Sequence, residues 1–149
     1  MCGIAGIVDF ASAGPDEGLL RRMLGMIRHR GPDAFGIYMD NHVGLAHARL
    51  SIIDLSGGDQ PIHNEDRSIW VTYNGEIFNF IELRKSLAED HRFYTHTDTE
   101  VLLHLYEEKG AGCLQELNGQ FAFAIWDRRN QELFLARDRL GIRPLHYTI

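Results

Sequence analysis

The chain has few cysteines, no basic stripe and no long apolar run, and each shortage excludes a class of protein. Two cysteines, Cys2 and Cys113, among 149 residues do not make the disulfide framework of a secreted domain, so we expect a reducing cytoplasm. The first apolar run, residues 2–8, ends at Asp9 and is too short for a membrane span or a signal peptide. The net charge is -6 with both signs interspersed, which disfavours a nucleic-acid partner.

The apolar pattern predicts one domain of the α+β class. After Asp16, apolar residues recur with the spacing of one helix face: Leu19, Leu20, Met23, Leu24 and Ile27. Residues 121–126 are apolar without alternation, so a strand there must be covered on both faces. The full order, β-α-β-β-β-α-α-β-β, predicts helices packed on antiparallel sheets.

Further local predictions concern the middle of the chain. A strand over residues 69–73 is followed by Asn74-Gly75, a strong turn signal. The spacing of a capping box occurs twice and predicts one helix after Asn79 and another after Thr97. Residues 54–65 are rich in turn formers and predict a polar loop.

Cys2 is a candidate nucleophile. A methionine aminopeptidase should remove Met1 before so small a residue, leaving an α-amino group on the residue that carries the thiol. An α-amino group ordinarily has a pKa of about 8, which suits a general base near neutral pH. Nucleophile and base would then form one unit that needs no histidine. The alternative is a buried, apolar cysteine in a strand.

Asn74, Gly75 and Glu76 form a second candidate cluster. A glycine allows close backbone approach to a ligand. An asparagine amide beside a free glycine N–H could form an oxyanion hole, in which loss of one donor typically costs about 2.7–4 kcal/mol. The alternative is an ordinary Asn-Gly hairpin turn.

Arg49 lies in a predicted apolar strand over residues 43–53 and needs an anionic partner, because an unpaired buried charge is costly. A ligand carboxylate, bound through two hydrogen bonds, would serve. The alternative is an internal partner such as Asp54 or Asp98. The eight histidines, including His91 and His96, show no metal-binding spacing with cysteine or carboxylate, and we expect no metal.

Seven segments in register resemble the class II glutamine amidotransferase domain of glutamine-hydrolysing asparagine synthetases. The resemblance spans essentially all 149 residues and is therefore specific, although each segment alone is weak. The segments are MCGI at 1–4, RHRGPD at 28–33, RLSIID at 49–54, NGEIFN at 74–79, TDTE at 97–100, LNGQFAFAIWD at 117–127 and RDRLGIRP at 137–144.

The resemblance implies a fold and a reaction. The fold would be that of the N-terminal-nucleophile hydrolases, a four-layer αββα sandwich of two antiparallel sheets between helices. Cys2 would attack the side-chain amide of glutamine and form a γ-glutamyl thioester, which water would hydrolyse to glutamate. Asn74 and the Gly75 N–H would stabilise the oxyanion.

The resemblance also implies how glutamine is bound. Arg49 would hold the α-carboxylate, and Asp98 and Glu76 would bind the α-ammonium group. The backbone of four consecutive residues would line the pocket: Leu50, Ser51, Ile52 and Ile53. A site that recognises both charged groups rejects analogues that lack one of them, by about 10⁴–10⁵ in comparable polar sites.

Family members continue into a further strand and helix and then a synthetase domain, so we expect residues 1–149 to be a C-terminally truncated glutaminase domain. This domain needs no cofactor, because ATP and magnesium would belong to the synthetase domain. Two alternatives stay open: an ammonia-donating domain of a different acceptor enzyme, and a binding domain without turnover. The oligomeric state and the ammonia acceptor are not encoded in these residues.

Overall fold

The computed structural model describes residues 1–11, 13–51 and 58–149. Two of its segments, Arg28–Arg30 and Gly110–Gln115, are 3₁₀ helices. None of the helices in these ranges is long and apolar enough to cross a membrane. The strands and α-helices, in chain order, are β1 (Gly3–Val8), α1 (Glu17–Ile27), β2 (Ala34–Met39), β3 (Val43–Arg49), β4 (Ile62–His63), β5 (Ile69–Ile77), α2 (Phe80–Leu87), α3 (Asp98–Lys109), β6 (Gly119–Asp127) and β7 (Glu132–Arg137).

Two antiparallel sheets pack face to face between helices. One sheet has the order β1-β3-β2 and the other β4-β5-β6-β7. Helix α1 covers the first sheet through Leu20 and Leu24, and α3 covers the second. Between the sheets, Val43 and Leu45 of β3 meet Ala124 and Trp126 of β6. The layers therefore run α-β-β-α, which confirms the predicted α+β sandwich.

Capping and burial explain where the helices begin and which faces they bury. The Asp16 side chain accepts a hydrogen bond from the Leu19 N–H at 3.0 Å, and Thr97 Oγ1 accepts one from the Glu100 N–H at 3.3 Å. Helix α3 is buried from Asp98 to Tyr106, because the second sheet and α2 both pack against it. Its N-terminus is thereby fixed beside β5.

The structure corrects some of the local predictions. Asn74-Gly75 is not a turn: β5 continues to Ile77, because β6 pairs with it along its whole length. Asn79 is the N-cap residue of α2, as predicted, but its side chain makes no capping hydrogen bond and instead bonds the Glu116 carbonyl and the Asn118 N–H. The predicted loop over 54–65 contains the short strand β4. Strand β3 ends at Arg49, and the predicted extension at Ile52 and Ile53 lies outside the described residues.

Both cysteines are free thiols. Cys113 is buried in the core between α3 and the second sheet, where burial raises the pKa of its thiol to about 11. A neutral thiol in an apolar core is unreactive. Cys2, by contrast, is only partly buried and lies at the start of β1.

Candidate active site

A cavity of about 100 Å³ lies where six parts of the chain meet: the residues before β1, the end of β3, the residues before β4, the edge of β5, the start of α3 and the segment after β7. The residues that line it are Met1, Cys2, Arg49, Leu50, Gly58, Gln60, Tyr73, Asn74, Gly75, Glu76, Thr97, Asp98, Thr99 and Arg143. Both sheets and one helix terminus thus contribute to a single concave site.

Strand pairing places the Cys2 thiol in this cavity. Gly3 pairs with Ala48, so Cys2 lies beside the end of β3. Its Sγ accepts a hydrogen bond from the Leu50 N–H at 3.4 Å and donates to the Leu50 carbonyl at 3.7 Å. The N–H directed at sulfur would stabilise negative charge on a thiolate. The backbone at Leu50 therefore orients the thiol.

Met1 precedes Cys2 and lines the same cavity, where its sulfur contacts the Arg143 guanidinium. In this form the nitrogen of Cys2 is part of a peptide bond and cannot act as a base. Removal of Met1 would create the α-amino group beside the thiol and would widen the cavity.

The backbone N–H of Gly75 points away from the neighbouring strand β6. Gly75 pairs with Phe121 of β6, but Phe121 directs its own N–H and carbonyl the other way, to Asp138, at 3.2 and 2.8 Å. Facing residues of an antiparallel pair alternate between bonded and non-bonded positions, so this pair is non-bonded. Both backbone polar groups of Gly75 are consequently directed to the opposite edge of β5.

The neighbouring N–H groups on that edge of β5 have acceptors. The Tyr73 N–H donates to Gln60 Oε1 at 2.6 Å, and the Ile77 N–H donates to Asp98 Oδ2 at 3.0 Å. The Gly75 N–H lies between them, at the cavity wall, and has no acceptor among the described residues. It is available as a donor to a ligand.

The Asn74 side chain lies on the face of β5 that packs on the first sheet. Thr72, two residues earlier on the same face, donates a hydrogen bond to the Ala46 carbonyl of β3 at 3.3 Å. Cys2 directly precedes β1 of that sheet, and Asn74 is 5% exposed and lines the same cavity. Within the described ranges its amide has no hydrogen-bond partner. Asn74 and Gly75 thus present two donors to the cavity that contains the thiol.

Arg49 forms one charged end of the cavity. Its side chain is 8% exposed, and Nη1 donates to Asp59 Oδ1 at 2.7 Å. Asp59 is 75% exposed and was not among the partners suggested by the sequence; Asp54 lies outside the described residues. A bidentate guanidinium beside an exposed carboxylate can also accommodate a ligand carboxylate.

Asp98 and Glu76 are the acidic residues that line the same cavity. Burial raises the pKa of the Asp98 carboxyl, although hydrogen bonds from Tyr73 at 2.7 Å and from the Ile77 N–H favour its charged form. Asp98 is also the first residue of α3, where the helix dipole favours an anion. Glu76 is exposed at the cavity rim.

Most of the predicted site residues lie together. Ser51 is the exception among those described: it does not line the cavity, and its N–H donates to Asp33 Oδ2 at 2.8 Å. Ile52 and Ile53 are outside the described residues. Several lining residues had no role predicted from the sequence: Thr97, Thr99 and Arg143 lie in quoted motifs, whereas Gly58, Gln60 and Tyr73 do not.

A four-layer α-β-β-α fold with a cysteine directly after Met1 at its cavity defines an N-terminal-nucleophile amidohydrolase architecture. The sequence model of the glutamine amidotransferase domain family matches residues 1–149. The chain therefore belongs to the glutamine amidotransferase domain family, whose members supply ammonia from glutamine.

Individual proteins agree with this assignment. The chain is 49% identical to asparagine synthetase [glutamine-hydrolyzing] 2 of Bacillus subtilis, over 99% of this chain and 20% of that protein. It is 44% identical to the asparagine synthetase of Brassica oleracea, over 98% of this chain and 25% of that protein. The structure of the glutamine phosphoribosylpyrophosphate amidotransferase from B. subtilis, complexed with ADP and GMP, matches 71% of this chain and 25% of that chain at 27% identity, with a TM-score of 0.58. The chain thus spans about a fifth to a quarter of these relatives.

Proposed function

We propose that this chain hydrolyses the side-chain amide of glutamine to glutamate and ammonia through a thioester on Cys2. Once Met1 is removed, the α-amino group of Cys2 takes the thiol proton and the sulfur attacks the amide carbon. The proton passes to the departing nitrogen, which leaves as ammonia. Water then attacks the thioester carbonyl, glutamate is released, and the thiol regains a proton.

The observation that carries this proposal is the pair of unused donors that face the thiol. The Gly75 N–H and the Asn74 amide are directed into the cavity that contains Cys2, and neither has an acceptor in the described part of the chain. Donors fixed in advance stabilise the oxyanion of the tetrahedral intermediate without having to reorganise.

The charged ends of the cavity match the two charges of free glutamine. In the proposal, Arg49 binds the α-carboxylate, and Asp98 with Glu76 binds the α-ammonium group. The backbone of Leu50 and the residues after it, Ser51, Ile52 and Ile53, forms the adjoining wall. Glutamine is then held between opposite charges with its side-chain amide at the thiol. No cofactor enters this reaction.

The wider role rests on the relatives. The related asparagine synthetases are four to five times longer than this chain. We therefore propose that the chain corresponds to the part of such an enzyme that supplies ammonia. A synthetase domain would accept the ammonia, and ATP and magnesium would act there, in the cytoplasm. The named relatives favour asparagine as the product.

A glutaminase assay tests the reaction. Ammonia release from glutamine by the Met1-free chain should be abolished in Cys2→Ala and preserved in Cys113→Ala, the matched control for the other thiol. Equal rates in wild type and Cys2→Ala would refute the proposal. Glutamine binding measured calorimetrically, with no ammonia release by the wild type, would support a binding domain without turnover instead.

A further inference from the structure

Four side chains that sequence analysis treated as ordinary converge outside the active-site cavity: Glu65 after β4, His91 after α2, and His104 and Glu107 on α3. One ligand atom from each lies within 4.8 Å of all the others. His91 Nδ1 is 3.8 Å from Glu65 Oε1 and 3.7 Å from Glu107 Oε2. His104 Nδ1 is 3.9 Å from Glu65 Oε2 and 2.7 Å from Glu107 Oε2. None of the four lines the cavity that contains Cys2.

The far nitrogen of each imidazole also has a carboxylate beside it. Glu108 Oε1 lies 3.5 Å from His91 Nε2, and Glu100 Oε1 lies 3.8 Å from His104 Nε2. Metal-binding histidines almost always direct their second ring nitrogen at such a group, which fixes the tautomer and strengthens the ligand. Neither contact is a hydrogen bond, and His104 Nε2 is buried without a hydrogen-bond partner among the described residues, so a modest side-chain movement would complete this arrangement.

The two candidate carboxylate ligands are likewise held through their other contacts. The Asn64 side-chain amide donates to Glu107 Oε1 at 2.7 Å, which leaves Oε2 directed at the histidines. The backbone N–H of Arg92 donates to Glu65 Oε1 at 3.0 Å. Carboxylates that bind a metal ion are usually held in place by such hydrogen bonds.

The charge of the surroundings suits a cation. Four carboxylates, those of Glu65, Glu100, Glu107 and Glu108, surround two imidazoles that stack at 4.3 Å. The negative charge of these four carboxylates attracts a divalent cation.

We propose that Glu65, His91, His104 and Glu107 bind one divalent transition-metal ion of the zinc type. A tetrahedral site with bonds of about 2.0–2.2 Å places its ligands roughly 3.4 Å apart. The four ligand atoms lie within 4.8 Å of one another, with individual separations of 2.7–3.9 Å between histidine and glutamate atoms, so side-chain shifts of about 1 Å are enough to reach that value. Two imidazole ligands favour zinc over magnesium or calcium. The ion would tie the segments after β4 and after α2 to α3, and would be structural.

Zinc titration of the chain in a Cys2→Ala background tests the site, because the background removes the exposed thiol as a competing ligand. After treatment with a chelator, calorimetry should show one Zn²⁺ per chain, and Zn²⁺ should raise the midpoint of thermal unfolding, whereas Mg²⁺ at the same concentration should not. His91→Gln and Glu107→Gln should each weaken binding by at least about 10-fold. His29→Gln, an exposed histidine on the first 3₁₀ helix, is the matched control and should bind as the background does.

Two results would overturn the proposal. One is a stoichiometry well below one Zn²⁺ per chain, which would mean that the cluster is a hydrogen-bonded charge network. The other is an affinity that is unchanged in both His91→Gln and Glu107→Gln, which would place the ion elsewhere. His91 is partly exposed and Glu107 lies at the surface of the cluster, so neither variant should prevent folding. Equal glutaminase rates with and without Zn²⁺ in the wild type would support a structural ion.

Discussion

Substitution of Gly75 by alanine should separate two roles of β5: donation of the Gly75 N–H to the oxyanion, and packing against β6. A Cβ at Gly75 would lie 2.7 Å from both Cα and Cβ of Phe121 and would also contact the Gln120 carbonyl oxygen. Real Cβ atoms do not come so close to backbone, so β5 would have to move away from β6. The movement displaces the Gly75 N–H, the donor assigned to the oxyanion.

The size of both effects follows from the geometry. Overpacking of this kind typically costs about 1–3 kcal/mol. For a domain of this size, the midpoint of thermal unfolding falls by about 2–4 °C for each kcal/mol. Loss of one oxyanion donor raises the barrier by about 2.7–4 kcal/mol, so kcat should fall roughly 10²–10³-fold. KM should change much less, because the charged ends of the cavity are untouched.

Gly119→Ala is the matched control. Gly119 lies on β6 opposite Ile77, and its Cβ would lie 2.9 Å from Ile77 Cα and would contact the Glu76 carbonyl oxygen. The clash is of the same kind, two residues along the same strand pair, but it falls on Ile77 and the Glu76 carbonyl instead of on Gly75 itself. Thermal unfolding and ammonia release per folded molecule should show similar instability in both variants, with the loss of kcat confined to Gly75→Ala. Equal loss of kcat in the two variants, or full kcat in Gly75→Ala, would refute the reasoning.

Three further predictions follow from buried titratable groups. Asp98→Asn should raise the midpoint of thermal unfolding, because burial disfavours the ionised carboxyl of Asp98. The same substitution should weaken glutamine binding by at least roughly 30-fold, because the α-ammonium group loses a charge partner. An unchanged KM would contradict the role given to Asp98. A maleimide at pH 8 should label only Cys2 in the native chain and Cys113 only after denaturation, because burial raises the pKa of Cys113 to about 11; mass spectrometry counts the adducts. Burial lowers the pKa of His47 from its ordinary value of 6.5 to about 4. Between these two pH values the unfolded chain binds a proton at His47 that the folded chain does not, so the free energy of unfolding falls as the pH is lowered from about 6.5 towards 4. The loss should approach roughly 3 kcal/mol in denaturant titrations at pH 7 and pH 4, and a His47→Gln variant with an equally steep loss would exclude His47 as its source.

Local periodicity was enough to predict much of the fold. The helix face that contains Leu20 and Leu24 and the doubly covered strand β6 follow directly from the order of apolar residues. The prediction failed where tertiary pairing overrode a local preference. Asn74-Gly75 prefers a turn in isolation, but the whole of β6 pairs with β5 and extends it to Ile77.

The candidate site, like the fold, could be predicted from the sequence only in part. Cys2, Arg49, Asn74 and Asp98 were accessible from motifs because each belongs to a short segment with its own chemical character. Gln60 was not, because nothing in its neighbourhood indicates that its side chain bonds the Tyr73 N–H and shapes the edge of β5. Such a contact depends on how the chain returns after β3.

The histidine and glutamate cluster shows a related limit. His104 and Glu107 are one helical turn apart, but the other two members come from separate segments after β4 and after α2. A metal spacing read along the chain cannot reveal a site that three segments assemble in space. The fold was therefore needed to bring these side chains together.

The most direct test of the account is the intact mass of the Met1-free chain before and after reaction with a diazo-ketone analogue of glutamine, which alkylates a thiol with loss of dinitrogen. The account predicts a single adduct that maps to Cys2 and that excess glutamine prevents. A Met1-free chain that forms no adduct, or that is labelled at Cys113, would contradict the claim that Cys2 is the nucleophile of a formed glutamine site.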